Sequence, residues 1–138
     1  MSDDFPITIF HNPACGTSRN VVAMVEAAGY QPQVIEYLET GWTRQQLQGL
    51  LGSMGVGARE ILREKGTPAA EFGLLAPGID EDAILDAMVA HPILVNRPIV
   101  VTPKGVKLAR PSEVVLDLLD HRPATFRKED GEVVQTRP

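Results

Sequence analysis

A chain of 138 residues has room for one sizeable core and too little for two, so a single domain over residues 1–138 is expected. With a net charge of −5, one Trp, two Tyr and four Phe, it offers neither a basic face for a phosphate backbone nor a stacking platform for single strands, and no nucleic-acid partner is expected. Its one cysteine excludes an intramolecular disulfide, a Cys-x-x-Cys redox pair and a cysteine-rich zinc site, leaving a buried bystander or a solitary reactive thiol.

The start Met1-Ser2-Asp3-Asp4 is acidic and lacks the basic-then-apolar pattern of a signal peptide. No stretch approaches the ~20 apolar residues of a membrane span, so a cytoplasmic protein without membrane association is expected. Ile7-Thr8-Ile9-Phe10, bounded by Pro6 and by His11-Asn12-Pro13, reads as a first strand. A loop carrying Cys15 follows. From Thr17 or Ser18, Val21, Met24, Val25 and Ala28 recur at helical spacing until Gly29 stops the pattern, and Gln33 to Tyr37 reads as a second, parallel strand.

A helical insert spans about residues 43–90. Thr43 and Gln46 form a capping box, Leu47, Leu50, Leu51 and Met54 make the apolar face, and Gly55 ends the helix. A short helix is expected over Ala58 to Glu64. Asp80-Glu81-Asp82 places acid at the start of a third helix, with Ile84, Leu85, Met88 and Val89 inward. Beyond it, Ile99-Val100-Val101 is a strand, Pro103-Lys104-Gly105 a turn, and Val106 to Ala109 the returning strand of a hairpin. A last helix opens at Pro111 and buries Val114, Val115, Leu118 and Leu119. The charged tail from Ala124 to Pro138 carries little pattern. The expected class is therefore α/β, with a mixed sheet of about four strands and a helical insertion between its two halves.

Cys15 falls in the loop after the first strand, where the next helix turns its free N–H groups outward. That position lowers a thiol pKa from ~8.5 toward the ~3.5–7.5 range of reactive cysteines. His11 and Arg19 are candidate sources of further positive charge. A free cysteine is commonly a small core hydrophobe, but Pro13, Gly16, Thr17 and Ser18 are loop and cap residues without an apolar periodic face. They favour the reactive thiol. A metal site from His11, Cys15 and His91 or His121 lacks ligand spacing, and none is expected.

The spacing also discards rival chemistries. Cysteine-dependent phosphatases use a Cys-x5-Arg cradle, whereas Cys15 and Arg19 have only Gly16, Thr17 and Ser18 between them. Gly52, Gly55 and Gly57 follow a helix in the wrong order for a dinucleotide fingerprint. Arg63 closes a short helix, Arg97 lies between apolar runs and Arg110 ends a strand; each taken alone reads as a solvated or dipole-compensating charge.

Three long motifs in order closely resemble the glutaredoxin-coupled arsenate reductases. They are Ile7-Thr8-Ile9-Phe10-His11-Asn12-Pro13-Ala14-Cys15-Gly16-Thr17-Ser18-Arg19-Asn20, then His91-Pro92-Ile93-Leu94-Val95-Asn96-Arg97-Pro98-Ile99-Val100-Val101-Thr102-Pro103, then Arg110-Pro111-Ser112-Glu113-Val114-Val115-Leu116-Asp117. The similarity resumes at Phe126-Arg127-Lys128-Glu129-Asp130-Gly131. The resemblance implies a thioredoxin-like fold, a catalytic Cys15 thiolate with His11 lowering its pKa, and Arg63, Arg97 and Arg110 as ligands of the oxyanion. It also implies supporting places for Ser18 and for Pro98, the latter as a cis proline.

The implied reaction is attack of Cys15 on arsenate, with no bound cofactor, glutathione as co-substrate and glutaredoxin as partner, yielding arsenite. Two alternatives share the superfamily. A redox-responsive regulator of RNA polymerase is disfavoured because Ser18 stands where some of those proteins have a second cysteine. A glutathione-dependent thiol reductase acting on another substrate is the other.

Overall fold

In the computed structural model, residues 5–123 and 125–135 are described. The acidic start Met1–Asp4, Ala124 where the tail reading begins, and residues 136–138 at its end lie outside them. The chain divides into two compact units, Met1–Glu36 with Arg97–Pro138, and Tyr37–Asn96.

The first unit is built on a four-stranded mixed sheet, with strands β1 (Thr8–His11), β2 (Gln33–Glu36), β3 (Ile99–Thr102) and β4 (Gly105–Leu108) in the order β2-β1-β3-β4. β1 pairs parallel with β2 and antiparallel with β3, and β3 pairs antiparallel with β4. The parallel pair needs a crossover, which helix α1 (Gly16–Ala27) supplies. Its helical-period residues Val21, Met24 and Val25 are fully buried, and they pack with Ile7, Ile9, Val100, Val115 and Leu118 into one core. Gly29, at φ +97°, takes the left-handed turn that ends the helix.

Ser112–Leu118 forms a 3₁₀ helix where the sequence suggests an α-helix. Ser112, Val115 and Leu118, three apart, share the inward face that the tighter period aligns, Leu116 is buried as well, and Val114 is only partly buried. The tail is ordered where described. Strands β5 (Thr125–Arg127) and β6 (Val133–Gln135) form an antiparallel hairpin, and Val134 joins the core.

The second unit is the helical insert, which begins with a short helix α2 (Tyr37–Thr40) that the sequence pattern did not reveal. Helix α3 (Arg44–Met54) has the expected reciprocal Thr43–Gln46 capping box and ends at Gly55, which is left-handed at φ +73°. Ala58–Ile61 is a single 3₁₀ turn, shorter than the helix expected to reach Glu64. Helix α4 (Glu81–Ala90) buries Ile84, Leu85 and Met88, and Val89 is exposed instead of facing inward. Glu81 reaches back to accept the Ala58 amide at 3.0 Å, and a Cβ at Gly57 would stand 3.1 Å from the same carboxylate oxygen. Pro92–Leu94 is a 3₁₀ turn followed by an antiparallel bridge between Leu62 and Val95. The buried Tyr37 hydroxyl donates to the Val95 carbonyl at 2.9 Å.

Together the sheet, its flanking helices and the insertion make the thioredoxin-like α/β fold expected from the sequence. Among the described residues, no helix is long and apolar enough to cross a membrane.

Candidate functional site

Strand register determines what gathers at one edge of the sheet. Phe10 pairs with Ile99, and Ile99 pairs with Leu108. The residues just beyond these pairs therefore emerge at the same edge: His11 at the end of β1 and Asn12 after it, Arg97 and Pro98 before β3, Ala109 and Arg110 after β4. The Ala109 amide closes the edge by donating to the Pro98 carbonyl at 2.9 Å. The Arg97–Pro98 bond is cis, and Arg110–Pro111 is a second cis bond, for which the sequence carries no signal.

Cys15 caps the N-terminus of α1 in an extended conformation. Its loop is held from within. Asn12 accepts the Cys15 amide on its carbonyl at 3.0 Å and the Ala14 amide on its side-chain oxygen at 2.9 Å. The thiol is 7% exposed, and Nη1 of Arg110 stands 3.5 Å from Sγ while donating to the Arg97 carbonyl at 3.0 Å. Burial pushes the thiol pKa up. The Ser18 backbone amide, the Arg110 hydrogen bond and the charges of Arg97 and Arg110 outweigh it, so the net displacement is downward.

His11 contributes differently from the charge expected of it. Its Nδ1 lies 2.6 Å from the Ser18 hydroxyl, which also accepts the Asn12 amide at 3.1 Å. Burial lowers the ring's pKa, Glu36 opposes this and Arg19 adds to it, leaving the imidazole neutral at neutral pH. Arg19 in turn is engaged by Glu129 through two hydrogen bonds of 2.8 and 2.9 Å. Arg97 and Arg110, which lie far from the thiol in sequence, are positive charges that lower its pKa, and Arg19 also interacts with it electrostatically.

One sheet edge and the start of α1 therefore bring together Cys15, His11, Ser18, Arg97, Pro98 and Arg110. Arg63 belongs to the second unit, where its amide donates to the Leu94 carbonyl at 2.8 Å and its Nε to the Lys65 carbonyl at 3.0 Å. Asn12 and Glu129 were not singled out from the sequence. An Asn-Pro turn signal was available for Asn12; nothing local points to Glu129. Among the described residues, no group of three or more His, Cys, Asp or Glu could hold a metal ion. A depressed thiol pKa next to guanidinium groups suits a nucleophile that must approach an anion.

Residues 10–118 match the ArsC family. The arsenate reductase ArsI2 of Synechocystis sp. is 61% identical over 129 residues, covering 93% of this chain and 92% of the relative. The arsenate reductase of Escherichia coli strain K12 is 52% identical with the same coverage of both chains. Among solved structures, the arsenate reductase from Vibrio cholerae superposes with a TM-score of 0.79 at 38% identity, over 83% of this chain and 98% of that one.

These findings correct the expected glutaredoxin-coupled class, with glutathione as co-substrate and glutaredoxin as partner. A cysteine relay needs at least a second thiol to receive the disulfide, and Cys15 is the only cysteine in the chain. The relatives' names speak of arsenate reduction. What stands is the family: this chain belongs to the ArsC family.

Proposed function

We propose that the protein reduces arsenate to arsenite, with Cys15 as the nucleophile. The observation that carries the reading is a thiol of depressed pKa at a helix N-terminus, with the Arg110 guanidinium 3.5 Å from its sulfur. Arsenate near neutral pH is a tetrahedral anion that would repel a thiolate. Arginine forks neutralise such oxyanions and orient them through paired hydrogen bonds. In this proposal Arg97 and Arg110 hold the arsenate while the Cys15 thiolate attacks arsenic and water leaves, forming a sulfur–arsenic(V) bond. The resemblance extends the oxyanion role to Arg63 on sequence alone.

Ser18 and neutral His11 keep the loop in shape, with Pro98 beside it, and no bound cofactor takes part. Reduction of arsenic(V) takes an electron pair. An external dithiol supplies that pair and leaves as its own disulfide, which returns Cys15 to the thiolate. A reduced nucleophilic thiol suits the cytoplasm.

The test is arsenite formation followed by arsenic speciation, with dithiothreitol as a generic dithiol. The wild-type chain is expected to turn over, and Cys15→Ser to reduce the rate to background. Undiminished arsenite production by the serine variant would overturn the reading.

A further inference from the structure

The proposed chemistry leaves one built feature beside the thiol unused: the tip of the C-terminal hairpin. Arg19, in the first turns of α1, sends Nη1 back past Cys15 to donate to the Pro13 carbonyl at 2.7 Å. The other side of the guanidinium, Nε and Nη2, donates to both carboxylate oxygens of Glu129 at 2.8 and 2.9 Å. The Glu129 backbone amide donates to the Asn20 side-chain oxygen at 3.1 Å, so neighbouring residues of α1 hold both ends of Glu129. A Cβ added at Gly16 would lie 3.7 Å from both Arg19 Nη2 and Glu129 Oε1, which places the pair against the residue that follows the thiol.

Glu129 is presented by a turn closed by hydrogen bonds. The Lys128 amide donates to the Glu132 carbonyl at 2.8 Å, the Gly131 amide to the Lys128 carbonyl at 2.9 Å, and the Glu132 amide to the Asp130 carboxylate at 2.9 Å. The hairpin behind the turn is anchored through buried Val134 and through Lys128, whose ammonium lies 2.8 Å from the Glu113 carboxylate.

We propose that Glu129 is a positioning residue for the Cys15 loop, acting through Arg19, so that the C-terminal hairpin sets the geometry of a thiol more than a hundred residues away. The proposal deepens the arsenate-reductase reading and rests on it for its catalytic consequence. Both side chains are nearly half exposed, at 44% and 47%, and a pair in that setting adds little to global stability. A bidentate fork, however, fixes orientation as well as distance. With the fork occupied by Glu129, Nη1 is aimed at the Pro13 carbonyl and holds the 12–15 turn, which keeps the sulfur over the Ser18 amide. The expected signature is therefore a change in thiol reactivity with little change in melting temperature.

The test is the pH–rate profile of Cys15 alkylation by iodoacetamide in the full chain carrying Glu129→Gln, Arg19→Lys or both, with thermal unfolding followed alongside. The sign of the shift discriminates between roles. Removing the carboxylate's negative charge favours the thiolate on electrostatic grounds alone and lowers the apparent Cys15 pKa. Loss of positioning moves the sulfur from its donors and raises it.

The expected result is a rise in both single variants, seen as an alkylation rate about threefold to tenfold lower on the acid limb. The double variant should match the larger single effect, because both changes break one link. An unchanged or lowered pKa in Glu129→Gln overturns the proposal, as does a rise that tracks a loss of folded protein. Arsenate turnover is read separately. If the wild-type chain reduces no arsenate, the functional reading fails, while the alkylation profiles still decide whether Glu129 positions the thiol.

Discussion

At the residue scale, Ser18 carries more than its size suggests. Its hydroxyl has no solvent exposure and serves both the His11 ring and the Asn12 amide. Ser18→Ala leaves these buried groups without that partner, and an unmet buried hydrogen-bonding group costs about 1–3 kcal/mol. Urea unfolding should show a loss in this range; a change below about 0.5 kcal/mol would mean that the neighbours find other partners. Cys15 was legible because loop and cap residues cluster around it, whereas Ser18 entered only through the resemblance. The electrostatics were legible only in part, since the Arg97 and Arg110 charges reach the sulfur across strand pairs that only register defines. Local spacing pointed to His11, whose pKa is lowered chiefly by burial, and to Arg19, which interacts with the thiol electrostatically while paired to Glu129.

At the scale of elements, legibility followed the strength of the local signal. The start of α3 is written in Thr43 and Gln46, and the structure closes both arms of that box. Thr43→Ala should cost about 1 kcal/mol, read as a lower urea midpoint at unchanged slope. An unaltered midpoint would show that α3 is held by packing alone. The 3₁₀ helix at Ser112–Leu118 was harder to foresee, because a three-residue spacing such as Val115 to Leu118 is compatible with either helix type. β5 and β6 have three residues each, too few for alternation to register. Their pairing depends on the Lys128–Gly131 turn and on Val134 reaching the core, neither of which a local window contains.

At the scale of the whole molecule, several titrating groups push stability in one direction. For Cys15, burial is outweighed by the Ser18 amide and the two arginines, and the folded pKa lies below its ordinary 9.0. His11 is lowered from 6.5, chiefly by burial. Glu113 is lowered from 4.5 because Lys128, its own amide and Ser112 outweigh burial. Glu129 is lowered from 4.5 mainly by the Arg19 hydrogen bond, although its exposure leaves that contribution open to screening by salt. In each window between the folded and the unfolded pKa the unfolded chain holds the extra proton, so stability rises with pH across it. Acidification should therefore remove stability in steps: below pH 9 through Cys15, below 6.5 through His11, and below 4.5 through Glu113. Lys128 is raised from 10.5, chiefly by its bond to Glu113, and reverses the trend only at more alkaline pH. The melting temperature should climb from pH 4 to pH 9, and Cys15→Ser should flatten the upper step while leaving the acid steps in place. Glu113→Gln should do the converse, losing part of the acid step and keeping the upper one. A wild-type melting temperature indifferent to pH in the upper window would mean that the thiol is not ionised preferentially in the folded state, and would count equally against its proposed role as a nucleophile.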